Sequence, residues 1–302
     1  MKMKRREFIK KSAVGAGGVL LGTGLFAADK PGAKYHDPQA LVRLGKTDLK
    51  FTRVCMGTGT HGGMRSSNQT RKGGDYLQKL MRTAYDRGVR TFDLADLYGS
   101  HTYVPPALAG LPRDSYSLIT KMWWAEGGIP EDDRPDAEVV VARFLKELKT
   151  DYIDLLLLHC VTAADWPGQL RKQMDSLSKL KEQGKIKALG VSCHSIAALE
   201  AAAAEPWVDS VHTRINPYGM SMDGAPEKVV PVLKKIYAAG KGVVGMKIVG
   251  AGRLRADEER RQESVKFALH LGCVSILNVG FESLAQIDSL ADHIRKTPMK
   301  SA

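Results

Sequence analysis

The chain has only four cysteines among 302 residues, Cys55, Cys160, Cys193 and Cys273, and no two of them form a Cys-x-x-Cys pair. A zinc ribbon or a cysteine-held iron–sulfur cluster therefore lacks its ligand spacing, and no metal site is expected. Cysteines this scattered read as buried small hydrophobes rather than as a disulfide framework. Aromatic residues are also scarce, at 7%. No stripe of Lys and Arg interleaved with aromatics runs through the chain, so the net charge of +12 does not read as nucleic-acid binding. Part of that charge sits at one end, where residues 1–28 hold six basic residues and one acid. Long apolar runs are missing too. "SAVGAGGVLLGTGLFAA" is too short and too diluted by glycine for a membrane-spanning helix.

What is present at the N-terminus is "KRREFIKK", with Arg5 and Arg6 ahead of Phe8. With the glycine-rich stretch that follows, it resembles a twin-arginine (Tat) export signal, a pathway that carries folded proteins. Residues 1–28 are read as that signal peptide, 29–41 as a short linker, and 42–302 as the folded domain. The expected destination is the periplasm or another extracytoplasmic space, with the Tat machinery as partner.

From residue 53 onward, short runs rich in Val, Ile and Leu alternate with amphipathic segments. The runs are "RVCMGTG" (53–59), "RTFDLAD" (90–96), "SLITKMW" (117–123), "YIDLLLLH" (152–159), "IKALGVSC" (186–193), "SVHTRIN" (210–216), "GVVGMKIVG" (242–250) and "VSILNVGF" (274–281). Leu170, Met174, Leu177 and Leu180 mark one helical face, and Leu284, Ile287, Leu290 and Ile294 mark another. Gly88, Gly184, Gly240 and Gly272 stand where helices should stop. Eight strand–helix units predict an α/β fold of the (β/α)8 TIM-barrel type. Residues 42–52 predict a β-hairpin that caps the bottom of the barrel. "GTGTHGG" imitates a dinucleotide fingerprint, but the acid that should follow comes too late. In a barrel, Gly57 and Gly59 let backbone approach whatever fills the mouth.

Barrel active sites gather where strands end. Strand two ends with Asp93 and, past it, Tyr98; strand three carries Lys121; strand four ends at His159. A lysine inside an apolar strand is costly without a partner, and Asp93 is the natural one. A tyrosine beside that ammonium has its phenolate favoured, which should lower its pKa and make it a proton donor to a carbonyl oxygen. His159 can orient that oxygen. Asp96 is expected to serve the turn through local hydrogen bonds. Alternation along strand four should point His159 and Cys160 to opposite sides.

These segments resemble the aldo-keto reductase family over nearly the whole chain after residue 40. "VRLGKTDLKFTRVCMGTG", "FDLADLYGS", "ITKMWW", "YIDLLLLHC" and "GKIKALGVSC" match its successive motifs in order. The resemblance implies hydride transfer between a nicotinamide cofactor and an aldehyde or ketone, or the corresponding alcohol. It makes Tyr98 the general acid, Asp93 and Lys121 its tuning pair, and His159 the residue that positions the carbonyl. It implies Trp123 and Trp124 for the substrate pocket. For the cofactor it implies Gly57, Thr58, Gly59, Ser192, Cys193, His212, Met246, Lys247, Gly280, Ser283 and Gln286, with NADP ahead of NAD on family habit.

The departures from the family pattern are Cys193 where Asn is common, His212 for a glutamine, Met246 for an aromatic, and Leu290 for an Asn. Glu282 disfavours a 2′-phosphate, and Arg253 and Arg255 are candidate phosphate partners. The altered positions leave one alternative, an exported cofactor-binding or sensing module of the same fold with little turnover.

Overall fold

The computed structural model describes residues 33–129 and 135–300. The export signal expected over residues 1–28 lies outside the described residues, as do residues 29–32 of the linker.

Ten strands are present among the described residues. β1 (Leu41–Arg43) and β2 (Lys50–Thr52) form an antiparallel hairpin. The other eight close a parallel barrel: β3 (Val54–Gly57), β4 (Thr91–Asp93), β5 (Ser117–Met122), β6 (Ile153–Val161), β7 (Ile186–Cys193), β8 (Ser210–Arg214), β9 (Gly242–Met246) and β10 (Ile276–Gly280), with β10 pairing back onto β3. Each apolar run read from the sequence supplies one barrel strand. The main helices between them are α2 (Gly74–Asp86), α4 (Ala137–Leu148), α6 (Arg171–Glu182), α7 (Ile196–Ala204), α8 (Pro226–Ala238), α9 (Glu258–His270) and α10 (Leu284–Arg295); α1 (Asn68–Arg71), α3 (Val104–Ala107) and α5 (Trp166–Gln169) are single turns. The helices bury the faces their periodicity predicts: Met174, Leu177 and Leu180 on α6, and Ile287, Leu290 and Ile294 on α10. Gly184 and Gly240, which follow α6 and α8, take left-handed φ values of +75° and +81°, a conformation cheap only for glycine.

Strand alternation sorts side chains into two cores. Leu156 and Leu158 of β6 face the helices, while Leu155 and Leu157 face the barrel axis. The axial core also holds Cys55, Ile119, Ala188, Val244 and Ile276. Leu44 and Phe51, from the hairpin, join this axial core with no more than 1% exposure. Leu44 also lies against Gly242, the first residue of β9, so the hairpin plugs the end of the barrel where the strands begin. One layer further along, the inward positions change character: Asp93, Lys121, Ser192, His212 and Asn278 are all buried and polar. Uncompensated polar groups this deep are costly, so each must be accounted for by a partner.

Candidate active site

Lys121 Nζ donates to both carboxylate oxygens of Asp93, at 2.7 and 2.6 Å, and to the Leu94 carbonyl at 2.8 Å. Asn278 Nδ2 donates to Asp93 Oδ2 at 2.7 Å. His212 Nε2 lies 3.4 Å from Asp93 Oδ1. One carboxylate thus gathers groups from β5, β8 and β10. Burial pushes the Asp93 carboxyl upward, but Lys121 and His212 outweigh it and hold it well below the ordinary range. Asn278 was missed in the sequence. It is a lone amide in the apolar run "ILNVG", and the reasoning applied to Lys121 applies to it equally.

Tyr98 ends a short 3-10 turn, Asp96–Tyr98, and its hydroxyl lies 3.3 Å from His159 Nε2. The two rings meet edge to face at 5.5 Å. Lys121 Nζ sits 5.0 Å from the Tyr98 ring centroid. The expectation of a lowered Tyr98 pKa is overturned. Burial first and the Asp93 charge next push the phenol well above its ordinary value. Burial likewise drives His159 well below its ordinary value, aided by Lys121, so its ring is neutral. The site holds a protonated phenol against a neutral imidazole.

The glycines of "GTGTHGG" have a further use beside the one expected of Gly57 and Gly59, which do line the cavity at the barrel mouth. A Cβ on Gly59 would lie 2.2 Å from Tyr98 Cζ, and one on Gly62 2.4 Å from Tyr98 Cδ1. These two glycines leave the slot that the Tyr98 ring fills. Gly57 does the same for Asn278, whose Oδ1 would be 2.8 Å from an added Cβ.

Two further expectations need correction. Asp96 is buried and bonds across the fold, to Arg143 Nη2 of α4 at 2.7 Å and to Arg65 Nε at 3.1 Å; its partners are tertiary rather than local. Strict alternation fails at the end of β6, where the register shifts between Leu158 and Val161 and Cys160 takes φ +58°. The bulge brings Cys160 Sγ to 3.4 Å from His194 Nε2. Burial pushes that thiol up to about 11, so it is protonated.

A cavity of about 470 Å³ opens from Asp93 and Tyr98 toward α9 and α10. Of the residues expected at a cofactor, Gly57, Gly59, Met246, Lys247, Gly280 and Gln286 line it. Ser283 follows the lining residue Glu282 and holds the N-cap position of α10 without a side-chain capping bond. Thr58, Ser192 and Cys193 do not reach it. The Thr58 hydroxyl donates to the Asp93 carbonyl and lies 2.8 Å from Ser100 Oγ. Ser192 Oγ accepts from the Cys160 amide at 2.9 Å. Alternation turns Cys193 outward into the helix-facing core. His212 lies below the cavity, fully buried beside Asp93. Arg255 lines the wall and Arg253 does not; Arg261 of α9, missed in the sequence, does. Trp123 and Trp124 flank His159 instead: the Trp123 ring meets it edge-on at 5.6 Å, and Trp124 Nε1 donates to its carbonyl at 2.7 Å.

The family model of the Aldo/keto reductase family matches residues 53–297. The chain belongs to the aldo/keto reductase family. Among curated relatives of this aldo/keto reductase, Methylglyoxal reductase DkgB of Salmonella typhimurium is 30% identical over 149 residues, covering 48% of this chain and 54% of that protein. Aldo-keto reductase YhdN of Bacillus subtilis is 29% identical over 201 residues, covering 63% and 57%. The chain thus spans little more than half the length of these relatives. The holo form of aldo-keto reductase AKR11C1 from Bacillus halodurans shares the fold, with a TM-score of 0.67 at 21% identity, covering 86% of this chain and 92% of that one.

Proposed function

We propose that this aldo/keto reductase transfers hydride between a nicotinamide dinucleotide and an aldehyde or ketone, with Tyr98 as the general acid. The observation that carries the reading is the Tyr98 hydroxyl 3.3 Å from His159 Nε2, above the buried Lys121–Asp93 pair and at the floor of the cavity. The cavity suits the cofactor. Lys247, Arg255 and Arg261 supply cations for its phosphates, and the Met246 side of the wall supplies apolar surface for a ring. Bound there, the nicotinamide supplies or accepts the hydride.

The remaining work belongs to side chains. His159, neutral, holds the carbonyl oxygen beside the Tyr98 hydroxyl. Because the phenol's pKa is raised, Tyr98 keeps its proton until the oxygen gains alkoxide character; an oxygen anion approaching the basicity of hydroxide (water pKa about 15.7) then takes it. Lys121, fixed by Asp93 near the phenol ring, favours the phenolate that results. Tyr98→Phe should lower aldehyde turnover by about 10²- to 10⁴-fold while nicotinamide binding, read by cofactor fluorescence, persists. Unchanged turnover in that variant would overturn the assignment.

We further propose that the chain is exported folded through the twin-arginine pathway with its cofactor already held. The support is the "KRREFIKK" stretch and the scarcity of free nicotinamide cofactor outside the cytoplasm. Native mass spectrometry of protein from the extracytoplasmic fraction should find the cofactor's mass; consistently empty protein refutes the proposal.

A further inference from the structure

Above the Asp93 layer, alternation brings two more inward positions to the rim of the barrel: His194, just past β7, and Arg214, the last residue of β8. Arg214 Nη2 faces His194 Nδ1, and Arg214 Nη1 lies 3.2 Å from Asp223 Oδ1. Yet Arg214 Nε is buried without a hydrogen-bond partner, and neither Asp223 carboxylate oxygen makes a hydrogen bond. The two charges are near each other but not aligned as a bonded pair. Arg214 pairs in register with Met246. Lys247, the next residue, lies within electrostatic reach of Arg214 and lines the cavity. Among the described residues, Lys247 has no ion-pair partner. Asp223 is thus a carboxylate near Arg214, while Lys247 adds a second cation close to that guanidinium. Arg214 is also close enough to Tyr98 to act on its titration.

The backbone gives an independent sign. Cys160 and Lys247 hold left-handed φ values of +58° and +57° at the ends of β6 and β9. Non-glycine residues adopt this conformation rarely, and such strain concentrates at working sites. It turns Cys160 toward His194 and carries Lys247 to the cavity beside Arg214.

We propose that Arg214 seats a negatively charged group of the substrate, so that the favoured substrates are carbonyl compounds that also carry a carboxylate. The proposal rests on the reductase reading above and adds the substrate class. A guanidinium offers a planar fork that matches a carboxylate with two parallel bonds, and Arg214 has a donor to spare. Asp223 occupies part of that fork without the substrate. Burial pushes its carboxyl up to about 6, so it holds its charge weakly and yields the guanidinium to a better-aligned anion. His194, driven down to about 3 by burial and the neighbouring Arg214 and Lys247, is neutral and adds no competing charge.

The test compares 4-carboxybenzaldehyde with 4-nitrobenzaldehyde, matched in shape and different in charge, on the cofactor-loaded full-length protein. Arg214→Leu should lower the ratio of kcat/KM for the charged over the neutral aldehyde by about tenfold to a hundredfold. Asp223→Asn should raise the same ratio, because it frees the guanidinium. A merely structural role would move both aldehydes together in each variant. A ratio unmoved by either substitution, or moved the same way by both, overturns the proposal. If the wild-type protein reduces neither aldehyde, the reductase reading fails by itself. The anion seat is then read by calorimetric titration: 4-carboxybenzaldehyde should bind more tightly than 4-nitrobenzaldehyde in the wild type and lose that advantage in Arg214→Leu. Equal binding of the two overturns it.

Discussion

The two ends of the barrel are built from the same strands and made of opposite materials. Where the strands begin, Leu44, Phe51, Ile119, Leu155 and Ile276 fill the axis with apolar side chains under the hairpin. Where they end, the next inward positions are Asp93, Lys121, His212 and Asn278, all buried. On β5 the change takes two residues, from Ile119 to Lys121; on β10, from Ile276 to Asn278. The apolar end lowers the free energy of the fold by burying area, at about 25 cal/mol per Å². The polar end must pair its buried charges merely to break even: Lys121 and Asp93 are paired, while Asn278 Oδ1 and His212 Nδ1 have no hydrogen-bond partner. Stability and chemistry are thus divided along the axis, and the division can be attacked from either side.

The largest effect is expected from Lys121→Met, which leaves Asp93 buried without its ammonium. Loss of one partner of a buried pair costs about 3–5 kcal/mol, and turnover should fall with it. Denaturant unfolding and steady-state rates on the same preparation check both. Phe51→Ala should cost a similar 3–5 kcal/mol, but with cofactor binding and turnover preserved at temperatures where the variant is folded. If turnover falls as steeply as in Lys121→Met, the two ends are not separable. Gly59→Ala drives a methyl into the Tyr98 ring and should cost about 1–3 kcal/mol as an overpacked site. Turnover, read by steady-state rates, should drop with it. A wild-type rate would show that the slot around Tyr98 is compliant.

The smallest effect concerns pH. The His194 pKa is lowered from its ordinary 6.5 to about 3 by burial first and by Arg214 next. Its neutral form is present in the fold, while the unfolded chain takes a proton below 6.5. Its contribution to stability is therefore complete above pH 6.5 and lost as pH falls toward 3. His194→Gln should flatten the fall of Tm between pH 6.5 and 4. His159 and His212, lowered in the same direction, keep a residual slope. Asp223, raised to about 6, contributes a slope of opposite sign in the window above pH 4, losing stability as pH rises. An unchanged Tm profile in His194→Gln would contradict the burial of a neutral ring there.

Much of this division was legible beforehand, and the reason is periodicity. A strand with a helix packed on one side and an axis on the other must be apolar throughout, so all eight barrel strands stood out as apolar runs, and a lysine among them demanded a carboxylate. The pairing of Lys121 with Asp93 followed from that cost alone. Asn278 obeyed the same rule and was overlooked because an amide is less conspicuous than a charge. What periodicity could not give were the contacts that depend on tertiary approach. The Gly59 and Gly62 slot around Tyr98 joins residues more than thirty positions apart, and a glycine run reads the same whether it faces a phosphate or a ring. The bulge at Cys160 breaks the alternation on which such reading depends. The cavity wall formed by Lys247, Arg255 and Arg261 comes from a turn and the first residues of a helix, where no period distinguishes a phosphate partner from a solvated cation.

The ligation of Asp93 carries a consequence for how the molecule is assembled. Its Lys121 partner is only 28 residues away, but its Asn278 donor is 185 residues distant and sits on β10, the strand that pairs back to β3 and shuts the ring. Contacts of such separation carry a large loop-closure cost and slow folding. Until β10 arrives, the carboxylate lacks a donor and the layer around it is open to water. Closing the ring and supplying the Asn278 donor to Asp93 are thus one structural event: a barrel left open at β10 also leaves the candidate site incomplete.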